Sequence, residues 1–491
     1  MDDTMKQNKK FTLNIMKVVI SNLIILLAGV VNGFIVPKVM HVADYGVYKI
    51  FSLYATYISL LHIGFIDGVY IIFAGKSYDE LNKPLFRLFS KFLFGLELGI
   101  AVVVSITAFF LPGEYKWIFL ILASNLIFVN VGLYFQYISQ VTERFTELSV
   151  RNIIKSILSI LVAVVLFILY NLFEYYTNAY LFIATVVIIN FLLALWYCYT
   201  YRDLIFGEAL KFRDEKDQII KVFKEGVPYT LASFLASFVL TIDRQFVSIL
   251  YETDVYAVYA FAYNMLALIT TATSAISTVL YPHLKKSGDD ALKSMPRIRN
   301  IVSVVTGIMM LAYFVLIYIV TYFLPKYTDS IYIFYIILPG LMFSSVISVV
   351  LVNFFKILGK QRVYLFISLG TVLLAFALNM GAYYIFGTTS SISWASTITM
   401  VVWYLVSNGY FFIKYKISFW KNLVFVSIVG VGFYVTAHFF NDWIGFLIYG
   451  FFVIGFSILV NYKELKFLLD SRKNKQLEKK ENGEVNEEES E

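Results

Sequence analysis

Residues that build cross-links, metal centres and water-facing surfaces are scarce in this chain of 491 residues. Cys198 is the one cysteine and lies inside an apolar run, which excludes an intrachain disulfide framework. The four histidines, His41, His62, His283 and His438, are scattered without metal-ligand spacing, so neither a metal centre nor any other cofactor is indicated. Charged residues make up only 15% of the chain, against about 25% in an ordinary soluble protein. Too little polar surface remains for a soluble multidomain protein, and a disordered or fibrous chain is excluded with it. No basic tract suggests nucleic acid as a partner.

What the chain has instead is apolar length, with 59% of its residues hydrophobic and 18% aromatic. Runs of 18 or more nearly uncharged residues recur, each long enough to cross about 30 Å of hydrocarbon as a helix. They predict an all-α polytopic membrane protein of about fourteen spans. These lie near 14–36, 46–73, 87–111, 117–139, 151–171, 177–199, 226–250, 255–281, 298–324, 330–355, 363–386, 392–413, 421–440 and 443–462. The first run is too long for a signal-peptide core and no small-residue cleavage site follows it, so a retained span is expected.

With the N-terminus placed in the cytoplasm, 35 of the 40 lysines and arginines fall on the cytoplasmic side. Lys38, Lys49, Lys116 and Lys326 remain outside and Arg244 lies within a span. This asymmetry predicts cytoplasmic termini by the positive-inside rule. The outer loops are short, which leaves no room for an extracytoplasmic domain. The tail over 471–491 is charged and poor in apolar residues, and is expected to be a disordered cytoplasmic segment.

An internal repeat is visible at an offset of about 211–213 residues. Tyr45-Gly46-Val47-Tyr48 is answered by Tyr256-Ala257-Val258-Tyr259, and Phe110-Leu111-Pro112 by Phe323-Leu324-Pro325. The basic loop from Lys76 through Pro84 to Arg87 is echoed by Lys285, Pro296 and Arg297. Six spans separate the matches, so the halves share one orientation, as in transporters that rock one half against the other. The expected organisation is a six-helix lobe over 1–200, a cytoplasmic linker over 201–225, a second six-helix lobe over 226–414 and two added spans over 415–470.

Charge inside a span is the most informative feature, because a central Arg, Lys or Asp costs about 2.5–3.5 kcal/mol on insertion scales. Lys49, Asp67, Glu97, Asp243 and Arg244 meet this description. In one continuous helix Lys49 and Asp67 would be five turns apart and share a face with Tyr45, Ser52 and Thr56. Thr230, Ser233, Ser237, Thr241, Arg244 and Ser248 would form a second polar stripe. Tyr256, Tyr259, Tyr263, Thr270, Ser274 and Ser277 would form a third. Together they predict a hydrated cavity, with Arg244 as its principal cation and Lys49, Asp243 and Asn264 in the same candidate set. A guanidinium presents a fixed fork of donors suited to phosphate oxygens. Two roles are open for Asp67 and Glu97: ion or proton coupling, or structural pairing with lysines or with Arg87 and Lys91.

Several motifs place the chain near a known family. Gly226-Val227-Pro228, Thr241-Ile242-Asp243-Arg244 and Ser277-Thr278-Val279-Leu280-Tyr281-Pro282 resemble the seventh and eighth helices of the polysaccharide repeat-unit flippases. Tyr45-Gly46-Val47-Tyr48 and the stretches Leu338-Pro339-Gly340 and Lys356-Ile357-Leu358-Gly359-Lys360 resemble the same family. The resemblance implies the multidrug/oligosaccharidyl-lipid/polysaccharide (MOP) superfamily. It further implies movement of an undecaprenyl-diphosphate-linked oligosaccharide across a bacterial plasma membrane, with the prenyl tail left in lipid. On that view Tyr45, Tyr256 and Tyr259 could stack on sugar faces or serve as interfacial anchors. Polymerase or export proteins would be partners, and H+ or Na+ a coupling ion. A peptidoglycan-precursor flippase and a drug/cation antiporter are the alternatives within transport.

Enzyme signatures are wanting. Gly75-Lys76-Ser77 resembles the end of a phosphate-binding loop, but Tyr70 stands where that pattern needs glycine. Asp-x-Asp does not occur. A membrane polymerase would need a long outer loop carrying its catalytic residues, and none is present.

Overall fold

The structure is a computed structural model and describes residues 2–286 and 291–488, with side chains described for 20–271, 273 and 291–467. Every regular element among the described residues is helical. The helices of the first half are α1 (Asp2–Val39), α2 (Val42–Ile58), α3 (Phe65–Phe73), α4 (Lys83–Ala108), α5 (Gly113–Val141), α6 (Phe145–Phe173) and α7 (Ala179–Thr200). They are followed by α8 (Lys216–Val239), α9 (Ile242–Leu250), α10 (Thr253–Lys286), α11 (Ala291–Met309), α12 (Ala312–Phe323) and α13 (Ser330–Ile337). Then come α14 (Gly340–Ser345), a π-helical turn (Val346–Leu351), α15 (Val352–Ile357), α16 (Gln361–Phe386), α17 (Thr389–Tyr415), α18 (Trp420–Phe439) and α19 (Trp443–Glu488).

Eleven of the described helices are long and apolar enough to cross a membrane, or twelve if the bent α8–α9 pair forms one span. Large apolar side chains stand exposed along them. On α6 alone Leu161, Val165, Ile168 and Leu172 are each about half or more exposed. Such a surface is stable only against hydrocarbon. The chain is a multi-pass membrane protein.

Several of the expected continuous spans are interrupted, 298–324 between α11 and α12 and 330–355 between α13 and α14 among them, and two further breaks bear on the site. The apolar run over 46–73 does not form one helix: α2 stops at Ile58, and Ile63 and Gly64 take left-handed backbone conformations before α3 begins. Lys49 and Asp67 therefore do not share a helical stripe. The run over 226–250 bends by 57° between α8 and α9, so Thr230, Ser233 and Ser237 are not in line with Arg244 and Ser248. The third stripe survives, because α10 is continuous through Tyr256, Tyr259 and Tyr263. The side chains of Ser274 and Ser277 lie outside the described residues. At the C-terminus α19 kinks at Asn461, where the backbone is not helical, and then runs helical to Glu488, through the segment expected to be disordered. Lysine, glutamate and leucine are good helix formers, and spacings such as Lys480 to Glu484 favour the helix further.

The fold divides into two compact units. The first holds residues 1–268, 323–330 and 361–395, so α8, α9 and α16 pack with the N-terminal helices. Its core is aromatic, with Phe65, Phe86, Phe89, Tyr134, Phe135 and Tyr201 fully buried. Backbone contact makes its tightest crossing. Gly64 and Gly68 on one side and Gly226 on the other let the backbones of α3 and α8 approach closely, and a Cβ on any of the three would strike backbone atoms of the other segment. Small residues four apart are the usual means of such approach in membranes.

The linker after α7 is docked on the start of α4 in the same unit. Arg87 donates to the carbonyls of Asp203 (2.9 Å) and Glu208 (3.0 Å), and Ser90 donates to that of Leu204 (2.9 Å). The Asp203 carboxylate accepts from Tyr78 (2.7 Å) and pairs with Lys83 at 2.9 Å. Burial acts to raise the Asp203 pKa, but the hydrogen bonds from Tyr78 and Lys83 outweigh it and hold the group below its ordinary value.

The second unit holds 269–322, 331–360 and 396–491. There the buried Arg299 of α11 donates to Asn408 (2.7 Å) and to the Ser418 carbonyl (2.5 Å), fixing the turn between α17 and α18. Tyr449 of α19 donates to the Gly307 carbonyl at 2.8 Å, tying the last helix to α11.

Candidate functional site

All seven expected cavity residues lie in the first unit, on α2, α9 and α10. Lys49 of α2 donates to the side-chain oxygen of Asn264 on α10 at 3.0 Å, and the Asn264 amide donates to the Gly33 carbonyl of α1 at 3.0 Å. The ammonium group lies 5.2 Å from the ring centre of Tyr45 and 5.5 Å from that of Tyr48. Tyr256 donates to the Lys49 carbonyl at 3.3 Å. The lysine is thus held by a neutral amide and two aromatic faces. No ion pair reaches it among the described residues.

Asp243 and Arg244 follow one another at the start of α9, where the 57° bend turns them inward from the line of α8. Asp243 is buried and accepts from Tyr259 at 2.8 Å and from Tyr263. Two tyrosine hydroxyls, rather than a cation, satisfy this carboxylate. Arg244 donates to the Leu240 carbonyl at 2.8 Å and lies 4.6 Å from the ring centre of Tyr263. Its Nε is buried without a hydrogen-bond partner among the described residues. Tyr263 therefore joins the two charges, its hydroxyl on Asp243 and its ring against Arg244. At the adjoining break, Thr241 exchanges a hydrogen bond with Tyr57.

Tyr45, Tyr256 and Tyr259 are each only 1% exposed. In this conformation they organise Lys49 and Asp243 and present no open face to a ligand.

The two remaining carboxylates have neutral partners. Asp67 accepts from Thr230 of α8, with His62 Nε2 at 3.8 Å. Glu97 of α4 is fully buried and accepts from Asn130 of α5 at 2.8 Å, while its second oxygen has no partner among the described residues. Asn130 also donates to the Ile58 carbonyl at 3.1 Å, which ties Glu97 to the end of α2. The pairing with Arg87 is not made, because that guanidinium holds the linker backbone.

Asn130 is the residue that sequence inspection passes over, and Tyr263 enters it only as a member of the α10 stripe. Tyr263 had a signal in its place four residues after Tyr259 on one face of α10. Asn130 had only its polarity within an apolar run.

Partly buried cations held by neutral groups thus lie within a bundle of lipid-facing helices. Residues 11–287 match the polysaccharide biosynthesis protein family, and the chain belongs to it. No curated protein matches the sequence at a significant level. Among solved structures, the lipid II flippase MurJ in an inward closed conformation is similar with a TM-score of 0.65 and 14% identity, over 93% of this chain and 100% of that one. An inward-facing multidrug resistance MATE transporter of the MOP superfamily is similar with a TM-score of 0.53 and 15% identity, over 82% and 99%. The eukaryotic MATE transporter AtDTX14 gives 0.50 at 13% identity, over 84% and 96%. The chain shares its fold with these flippase and transporter structures.

Proposed function

We propose that the chain is a flippase for an undecaprenyl-diphosphate-linked oligosaccharide, the repeat unit of a surface polysaccharide, working by alternating access in a bacterial cytoplasmic membrane. One observation carries this reading: Lys49 and Arg244 are intramembrane cations that no carboxylate pairs with among the described residues. A cation left unneutralised inside a membrane is costly unless an anion arrives to share its charge. A diphosphate supplies that charge, and the polysaccharide family supplies the sugar and prenyl context.

In this scheme Arg244 offers its fork of donors to phosphate oxygens and Lys49 adds a point charge. Asp243, held by Tyr259 and Tyr263, fixes the ring against which Arg244 rests. Asn264 positions Lys49. Asp67 and Glu97 are the candidates for exchange of H+ or Na+. Both termini lie in the cytoplasm, and the matched segments of the sequence support a 6+6 core with two added C-terminal spans among a total of fourteen. Polymerase or export proteins would receive the product.

The test is depletion of the protein in its own host, followed by extraction of lipid-linked sugars. Undecaprenyl-diphosphate repeat units accumulating on the cytoplasmic face would establish the activity, and their sugars would name the substrate. Accumulation of a peptidoglycan precursor would move the assignment to that lipid. Unchanged lipid-linked sugars with raised sensitivity to cationic drugs would overturn it in favour of an antiporter.

A further inference from the structure

A second pair of cations lies at one end of the first unit, where α1 meets α2. Lys38 donates to the Phe323 carbonyl at 2.8 Å. Lys326, in the turn after α12, donates to the Lys38 carbonyl at 3.3 Å and to that of Met40. The turn before α7 lies at the same end, since the Thr177 amide donates to the Val39 carbonyl at 2.8 Å. Lys326 is within 5.7 Å of the Tyr176 ring centre and 5.8 Å of that of Tyr327. No ion pair reaches either lysine among the described residues. Like Lys49 and Arg244, they are cations held by carbonyls and aromatic faces.

A chain of side chains joins this pair to Lys49. The Lys49 ammonium lies over Tyr45, the Tyr45 ring meets that of Tyr327 edge-on at 5.4 Å, and Tyr327 adjoins Lys326. Tyr45 and Tyr327 are 1% and 0% exposed, and neither hydroxyl has a hydrogen-bond partner among the described residues. A buried hydroxyl without a partner costs about 1–3 kcal/mol. Two in ring contact, between three lysines, gather unused hydrogen-bonding capacity beside positive charge.

We propose that Lys38 and Lys326, with the hydroxyls of Tyr45 and Tyr327, form a second station for a diphosphate anion, one step beyond Lys49. The positive-inside arrangement puts this end outside the membrane, so the station receives the headgroup as it leaves. This rests on the lipid-diphosphate reading above. A phosphate oxygen is a stronger acceptor than an amide carbonyl, and an arriving diphosphate would take the ammonium protons from Phe323, Lys38 and Met40.

The test uses inorganic diphosphate and the purified full chain in detergent. Calorimetry should show two binding events, the weaker lost in the double variant Lys38→Gln/Lys326→Gln and retained when both are arginine. A measurement free of substitutions accompanies it: diphosphate should slow acetylation of Lys326 on the unmodified chain, read by mass spectrometry with Lys116 as reference. A single event that Arg244→Gln removes, with no protection of Lys326, would overturn the station and leave the flippase reading standing. No diphosphate binding at all would overturn both.

Discussion

Arg244 and Lys49 are both cations of the candidate site, yet their surroundings ask different things of them. Arg244 is planar against the Tyr263 ring and holds Leu240 with one arm, which leaves its remaining donors directed elsewhere. Lysine at this position would keep the charge and lose the fork. We expect Arg244→Ala to abolish transport at normal protein abundance and Arg244→Lys to retain part of it, as measured by lipid-linked sugar accumulation. Normal transport by the alanine variant would remove Arg244 from the substrate site. Glu97 gives a contrasting expectation. Glutamine there can still accept from Asn130, so Glu97→Gln should change thermal stability by less than about 1 kcal/mol. If the carboxylate couples transport to an ion, the same variant should move substrate only down its own gradient in proteoliposomes. These charged positions were legible in the sequence because charge is rare in apolar runs. Their partners were not, since nothing in local spacing says that Asp243 would be met by tyrosines from α10 and not by Arg244 beside it.

At the scale of elements, helix existence was far more legible than helix continuity. Hydropathy over 46–73 is unbroken, and Gly64 is the single residue in its break that favours a left-handed backbone. Ile63, which shares that conformation, carries no warning at all. The break exists because α3 is pinned to α8 through Gly64, Gly68 and Gly226, a contact between segments more than 150 residues apart. A methyl at Gly226 has backbone on the far side and no flexible side chain to displace. Gly226→Ala should therefore destabilise the protein by about 3 kcal/mol, seen as a lower melting temperature in detergent, whereas Gly95→Ala, in open space, should not. The docked linker makes a prediction in pH. The Asp203 pKa is lowered in the folded chain, so its contribution is present above the ordinary carboxylate value of about 3.9 and is lost as pH falls through the folded value. Asp203→Asn should lower the melting temperature at neutral pH and erase that acid-side decline.

For the whole molecule, the sequence placed the lysines and arginines by side but could not show that Lys326 is drawn into the structure. Burial, with the nearby Lys38 charge, lowers its pKa to about 8. As with Asp203, the folded value lies below the unfolded one, but here the charged form is the disfavoured one. Between about 8 and the ordinary lysine value of about 10.4 the unfolded chain binds the proton and the folded chain does not. Stability should rise with pH across that window, and Lys326→Met should flatten the rise in melting experiments. Diphosphate binding at the outer end should weaken over the same window, as the amine loses its charge. Lys38 of α1, His41 and Tyr176 in the adjoining turns, and Asp254 at the start of α10 are the other titratable groups around this site.

The glycine crossing of α3 and α8 has a mechanical meaning as well. Side chains between two helices act as a compliant layer, changing rotamer when the helices slide. At these glycines that layer is missing, so a screw or slide of α8 along α3 would drive backbone into backbone there. The two helices can only travel as a single lever. One arm of that lever leads through α8 to the bend that carries Asp243 and Arg244, and the other ends at the loop after Phe73. A shift of α8 at this crossing would therefore carry α3 with it, and with α3 the loop that follows, Gly75-Lys76-Ser77.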